Sequence, residues 1–497
     1  MNIPVKVPVF LSVLVLLAPR VLQAEPRTFT LQDCVAYGLE HSLALRNAAI
    51  DEAVVQSRVD AVDGAYDPRL HGQLSYTDSQ IRDATSLFLS DRQLTAGELS
   101  LGKAFSSGTR VELRVEHSRI EAGGELSTLL TEPYSSVAAL SLSQSILRNA
   151  FGQADRARRR GADAGGTAAR LAYEREAELL AGRVADAYWD VQMARKNFDT
   201  GRDSLSRAQR LLETNRIRVD DGLLDETDLL SFEALIATRR VEVLSLSNAV
   251  ANTTDALKNM MQLPRDEWGT VQIANEGSVL KITLNCEEAA SSKEDDSLSV
   301  IFRTDPARVR KDLAAVAALV SQAEAKLEMR ASEFRHDLRL FGEVGRGSSA
   351  EDLDGSIEFD DDAWSVGVML DVGWGRTAER SALEEARLLH EKAVNNRKAL
   401  NAAVELECSV ADRNLHNGWE RVVETRRARD LQQKKLALEQ EKFEQGRSAI
   451  NLIVQYEDDF ALASQGHNVA LASYQKAIVQ YRLAHGEVPV LGVKMDK

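Results

Sequence analysis

Residues 180–212 read LAGRVADAYWDVQMARKNFDTGRDSLSRAQRLL. Within this stretch Leu180, Val184, Ala187, Val191, Ala194, Phe198, Gly201, Leu205, Ala208 and Leu212 recur at steps of four and three. That repeat, about 3.5 residues, is the period of a left-handed coiled coil. No proline interrupts the chain from Gly152 to Asp220. Those residues, as one helix, make a rod of roughly 100 Å. The rod stops at Asp220-Asp221-Gly222-Leu223, and a second helical pattern (Leu230, Ala234, Ala237, Val241, Leu244) runs back to Leu263-Pro264. The reading is a very long antiparallel hairpin with a glycine tip.

The same object occurs twice. A proline-free segment from Arg376 to Gln445 carries Ala382, Ala386, Leu389, Ala393, Asn396, Leu400 and Ala403 at four–three spacing. It turns at Gln445-Gly446-Arg447. A return helix follows with Tyr456, Phe460, Ala463, His467, Ala470, Tyr474, Ala477, Tyr481 and Ala484 in register. One structural unit has been used twice.

Each hairpin is preceded by a short helix and by segments of period two. Thr28 to Asp63 reads as one helix, capped at Thr30. Residues 98–101, 111–116 and 137–143 alternate apolar with polar, as do 337–344 and 364–372, which marks strands with one apolar face. Residues 78–94 and 119–136 read as polar loops, and Phe302 to Ala331 as the second short helix. The chain thus divides into a secretory signal (1–24), a first repeat (25–264; strands about 68–147, hairpin 152–264) and a mixed linker (265–300). A second repeat (301–486; strands about 337–374, hairpin 376–486) and a tail (487–497) complete it. The fold class is mainly α, with a membrane β part.

Composition narrows the function. The chain has 497 residues, 28% of them charged, and a net charge of −15, which argues against nucleic acid or an anionic membrane surface as partner. Three cysteines, Cys34, Cys286 and Cys408, are too few for a disulfide framework and contain no Cys-x-x-Cys; a Cys34–Cys286 bridge stays open as an alternative. Gly161–Thr167 is glycine-rich but lacks the Gly-Lys-Ser/Thr of a phosphate loop, and is read as a thin, close-packed part of the helix. The acidic stretch Glu351–Asp362 is read as a solvated loop, with weak divalent-cation binding as the alternative. No catalytic or metal-ligating constellation emerges, no cofactor is expected, and no enzyme is read.

Strands of 8–12 residues are long enough to cross a bilayer if tilted, and in lipid they must close into a barrel, because open edges leave unpaired amides. Two strand pairs per chain, or a few more, are too few to close one, so several chains must share it; the first outer region, Asp67 to Ser143, is longer than one pair needs and is read as holding an extra hairpin or a long extracellular loop. The helices are too polar and too long for the membrane and must form a tube below.

From about Phe29 to Gly486 the sequence resembles the TolC-like outer-membrane channels of drug efflux and type I secretion. The resemblance is carried by the opening helix Phe29–Glu40, the strand-to-helix segment Leu140–Gly152, the first tip Val219–Leu230 and the second tip Phe443–Ser448. It implies a homotrimer with a twelve-stranded barrel in outer-membrane lipid and an α-helical periplasmic tunnel. It also implies a periplasmic adaptor (membrane fusion) protein and an inner-membrane transporter as partners. Tip residues Gly222, Leu223, Leu224, Gly446 and Arg447 are the candidate adaptor-docking sites, and Asp228, Asp458 and Asp459 the candidate aperture residues. Ser145 stands where the family commonly has proline, and Asn149 where it commonly has glycine. Leu452 and Gln455 occupy places where some relatives carry aperture carboxylates. The competing reading is a secreted coiled-coil structural or adaptor protein without a barrel.

Overall fold

A computed structural model describes residues 27–82, 89–122, 132–220, 226–274 and 310–486. The chain opens with β1 (Arg27–Phe29), α1 (Leu31–His41) and α2 (Leu43–Asp63). The single helix expected over Thr28–Asp63 is therefore three elements. Thr30 closes a capping box with Asp33 at the start of α1, and at Ser42 the backbone turns extended (ψ 121°) while its side chain accepts from Leu45 N to start α2.

Four strands follow: β2 (Arg69–Arg82), β3 (Leu89–Ala104), β4 (Thr109–Ala122) and β5 (Tyr134–Ser145). They overrun the polar loops expected at 78–94 and 119–136. The first long hairpin is α3 (Gln153–Asp220) and α4 (Glu226–Met260). Beyond it β6 (Val271–Ile273) pairs parallel with β1. Helix α5 (Lys311–Glu333) leads to β7 (Asp337–Ala350), a single helical turn (Leu353–Ser356), β8 (Asp361–Asp371), and the second long hairpin, α6 (Thr377–Glu444) and α7 (Ile450–Ala484). The start expected for the second short helix, most of the mixed linker, the signal 1–24, the tail and Cys286 lie outside the described residues.

The helices stand in columns. α3 and α6, 68 residues each, run the full height of the helical body. Beside them the return helices α4 and α7 cover the tip half. The short helices take over toward the sheet: α2 packs on α3, and α5 packs between α3 and α6. The Gly161–Thr167 segment is where α3 is hemmed in on both sides. A Cβ on Gly165 would meet the Gln322 amide at 2.6 Å, and one on Gly166 would meet Val59 at 3.3 Å. The expected stripe of α3 is buried throughout its middle, with Val184 and Val191 at 0% exposure in a core shared with α1, Leu257 and Met261 of the first hairpin, and Val479 and Leu483 of α7.

At mid-height the C-terminal carbonyls of α7 are captured by cations: Arg310 donates to Ala484 O (2.9 Å) and Arg175 to Leu483 O (3.3 Å). Arg310 is 3% exposed and is held by Asp312 (2.6 Å) and Glu407 (2.9 Å), which keep its guanidinium firmly charged despite burial.

Among the described residues six strands form one antiparallel sheet in the order β2-β3-β4-β5-β7-β8, so β5 and β7 stitch the two repeats together. The sheet-to-rod junctions need left-handed backbone. Before α3, Asn149 (φ 54°), Phe151 (φ 47°) and Gly152 (φ 77°) turn the chain; before α6, Gly375 (φ 80°) and Arg376 (φ 45°) do so. Asparagine is among the few L-residues that adopt this conformation readily, so Asn149 makes this turn without a glycine. Its side chain also caps α3, with Oδ1 accepting from Ala154 N (2.9 Å) and Asp155 N (3.2 Å).

Candidate functional site

The second tip is closed by backbone geometry. Gly446 has φ 70°; its N–H donates to Phe443 O (3.0 Å) and that of Arg447 to Lys442 O (2.9 Å), the paired bonds of a left-handed helix terminus. No atom lies within 4 Å of where its Cβ would stand, so glycine is required by conformation and not by crowding. Arg447 is exposed and touches Gln445 Oε1 (3.4 Å). Gly222, Leu223 and Leu224 of the first tip lie outside the described residues, and Asp228 falls in the first turn of α4.

Just above, the two hairpins lock together. Phe232, at 0% exposure, meets Phe443 edge-on with ring centroids 6.4 Å apart, and Ile450 and Ile453 complete the cluster. Arg218, near the end of α3, donates to the Glu444 carbonyl (3.2 Å) and covers the Phe443 ring.

The candidate aperture carboxylates are engaged elsewhere. Asp458 pairs with Arg239 of α4, which also holds Glu242 (2.7 Å), and Asp459 pairs with Lys435 of α6 (3.1 Å). The two aspartates thus turn to different hairpins. The buried carboxylate is their neighbour Glu457, 1% exposed, which takes Arg207 Nε at 3.1 and 3.3 Å. Burial pushes the Glu457 carboxyl up, and Arg207 opposes that shift. A sequence signal existed: Glu457 lies four after Ile453 and three before Phe460, in a stripe where an apolar residue is expected.

A ladder of polar contacts continues toward mid-height between α7 and the first hairpin. Gln465 donates to Glu242 (2.6 Å), Asn468 to Asn197 (3.1 Å), and Gln480 to Asp186 (2.8 Å), while Lys476 pairs with Asp190 (2.5 Å). His467 faces the other way, with Nδ1 3.2 Å from Thr425 Oγ1 of α6. Burial, aided by Arg429 and Arg426, lowers its pKa to about 4 from an ordinary 6.5. The unfolded chain therefore binds a proton that the native chain refuses between pH 6.5 and 4, and stability falls as pH drops through that window. The expected slope is about 1 kcal/mol per pH unit. A His467→Gln variant should flatten the pH profile of the melting temperature in that interval; an unchanged profile would exclude this origin.

The apolar stripe of α4 faces away from its own hairpin. Leu230, Val241 and Leu244 are all more than 60% exposed, while Phe232, Leu235 and Ile236 fill the interior. α6 likewise leaves Leu406, Leu431 and Leu438 uncovered. The helical body therefore has two apolar flanks that a single chain does not bury.

The sheet is two-sided. One face carries Leu74, Leu101, Leu113, Leu140, Val344 and Trp364, all exposed; the opposite face carries Glu98, Glu112, Arg114, Glu116 and Glu343. Of the acidic stretch at 351–362, Asp352 is spent capping Gly355 N (2.9 Å), and Asp361 and Asp362 belong to β8, with Asp362 paired to Arg346 (2.6 Å).

A two-sided sheet joined to a doubled, hairpin-built helical rod is the architecture of bacterial outer-membrane channels. Among solved structures the chain is similar to the outer membrane protein VceC of Vibrio cholerae (TM-score 0.67, 14% identity, covering 92% of this chain and 96% of that one). It is also similar to the CmeC outer membrane channel of Campylobacter jejuni (0.64, 15%, 92% and 85%) and to the open state of the MtrE channel of Neisseria gonorrhoeae (0.61, 16%, 93% and 90%). No family model and no curated protein sequence matches the chain. The fold is that of the TolC-like channels.

Proposed function

We propose that the chain is an outer-membrane export duct and not an enzyme. Three copies close a barrel in outer-membrane lipid and a helical tube in the periplasm. An adaptor protein and an inner-membrane pump act on it from below. The observation that carries this reading is the sheet: one apolar face, one charged face and two open edges, mounted on rods roughly 100 Å long. In lipid those edges require neighbours. The uncovered apolar stripes of α4 and α6 support the same ring, because each lies on an opposite flank of the helical body. Among the described residues no helix is long and apolar enough to cross a membrane.

The duct is passive. The pump supplies energy, and the duct opens by movement of its helix tips, which the Phe232–Phe443 contact and the Arg218–Glu444 bond hold shut within each copy. The cargo is a small molecule or a protein, and loss-of-gene strains assayed for both drug sensitivity and secreted protein decide between them. The assembly is tested by outer-membrane fractionation. The expected result is a heat-modifiable trimer; sedimentation as a soluble rod would sink the reading and favour a secreted coiled-coil protein.

The tips are the proposed docking surface. Leu223 and Leu224 are apolar residues that follow Gly222 in the sequence, and Arg447 offers an exposed charge beside Gly446. Leu223→Asp or Gly446→Asp should leave trimer levels unchanged and reduce export more than tenfold, by placing an unpaired charge in the contact. Normal export from intact trimers of both variants would show that docking occurs elsewhere.

A further inference from the structure

The resemblance implies four strands per copy and twelve in the ring. The described chain has six in one uninterrupted sheet. The additional strands have the chemistry of wall. Hairpin β2–β3 is paired without a break over 14 residue pairs, from Arg69↔Gly102 to Arg82↔Leu89. It repeats the two-sided pattern: Leu70, Leu74, Leu99 and Leu101 on the apolar face, His71, Gln73, Glu98 and Ser100 on the polar one. A hairpin standing in water outside the membrane has no need of an apolar face continuous with that of its neighbours.

Two geometric observations agree. The row of paired residues that begins at Arg69, the foot of β2, reaches β8 at Ser365, six positions above its foot at Asp371. With strands about 4.8 Å apart and about 3.3 Å per residue, that stagger is a tilt of roughly 40° from the axis, the value of closed membrane barrels. At that tilt six strands span an arc of about 38 Å, and four helices side by side span about 36–40 Å. Six strands therefore cover their own four columns, whereas four strands would span about 25 Å at the same tilt.

The edges are complementary. β2 runs up and β8 runs down, so β2 of one copy meets β8 of the next antiparallel. Keeping both apolar faces outward restricts the register to steps of two residues. The register that sets Arg69 opposite Asp371 also sets Leu74 opposite Val366 and Tyr76 opposite Trp364.

We propose that all six strands of each copy stand in the membrane wall, so that a ring of three closes an eighteen-stranded barrel by pairing β2 with β8 of the neighbour. This rests on the export-duct reading. The barrel is then about 36 Å across between backbones, as wide as the helical tube, with no narrowing of the wall at the membrane.

The test is cross-linking in outer-membrane vesicles with a short bismaleimide, on variants that retain the native cysteines, with each single substitution as control. Leu74→Cys/Val366→Cys should give covalent dimer and trimer bands absent from the single variants, ending at trimer. Val115→Cys/Val366→Cys should give none, because Val115 on β4 is then three strands, about 14 Å, from the neighbour's β8 and equally far from its own. Linkage through Val115 and not Leu74 would show a four-strand wall closed on β4, with β2–β3 outside it, and would overturn the proposal. So would absence of linkage in both pairs while native gels show trimer. A covalent endpoint at dimer would overturn eighteen strands in favour of twelve. Absence of any outer-membrane oligomer in the unsubstituted protein would instead refute the export-duct reading itself.

Discussion

Gly152→Ala is expected to remove nearly all assembled protein from the outer membrane, while Gly375→Ala, at the equivalent junction of the second repeat, leaves most of it. Both glycines have φ near 80° (77° and 80°), so both substitutions incur the left-handed cost of about 1 kcal/mol. The surroundings differ. A Cβ at Gly375 meets nothing within 4 Å. At Gly152 it would sit inside the van der Waals shell of the Ser106 carbonyl, in the β3–β4 turn, where a Cβ on Gly108 would likewise press on Gly152 N. Backbone cannot step aside as a side chain can, so the turn or the junction must be rebuilt, at a cost of roughly 4 kcal/mol or more. Heat-modifiable oligomer, quantified for both variants, measures the difference. Equal levels would mean that the junction yields.

The second large effect concerns the buried ion pair. Arg207→Ala strands Glu457 at 1% exposure and should destabilise the helical body by about 3–5 kcal/mol. Glu457→Leu combined with Arg207→Met replaces the pair with apolar groups of similar size and should recover most of that loss. The double variant also removes one of the bonds joining the two hairpins near the tips. On the proposed export-duct reading it should therefore fold normally yet admit bulky antibiotics through the resting tips, which a sensitivity assay reads. A double variant as unstable as Arg207→Ala would show that the carboxylate has a further essential partner.

Much of this architecture is legible in the chain because it depends on period. Ten residues from Leu180 to Leu212 suffice for the long helix, and Gly446 marks its partner's turn because only a left-handed residue continues the path there. Period does not say which molecule covers a stripe, and this is why Leu230, Val241 and Leu244 read as the inside of a hairpin although they lie on its open flank. The strands were under-read for a different reason. A 14-residue strand, about 46 Å long, rises about 35 Å at a 40° tilt and so outruns a hydrocarbon core of about 30 Å. Its ends need no apolar face, and residues 78–82 and 119–122 lose the alternation that identifies a strand while keeping its ladder. At the candidate aperture, Asp458 and Asp459 were visible as charges, but their partners Arg239 and Lys435 lie on other helices, and no spacing along α7 reveals them.

The columns of the rod have one further consequence. α3 and α6 pass mid-height unbroken, whereas α4 gives way to α1 and α2, and α7 to α5, with β1, β6 and the Arg175–Arg310 clamp at the changeover. Half the shaft is continuous and half is jointed. Torque applied at the tips reaches the sheet only along the two unbroken members, while the other two can slip at their joints. The lower half can therefore twist through an angle that the upper half does not follow, and the sheet is insulated from motion at the tips.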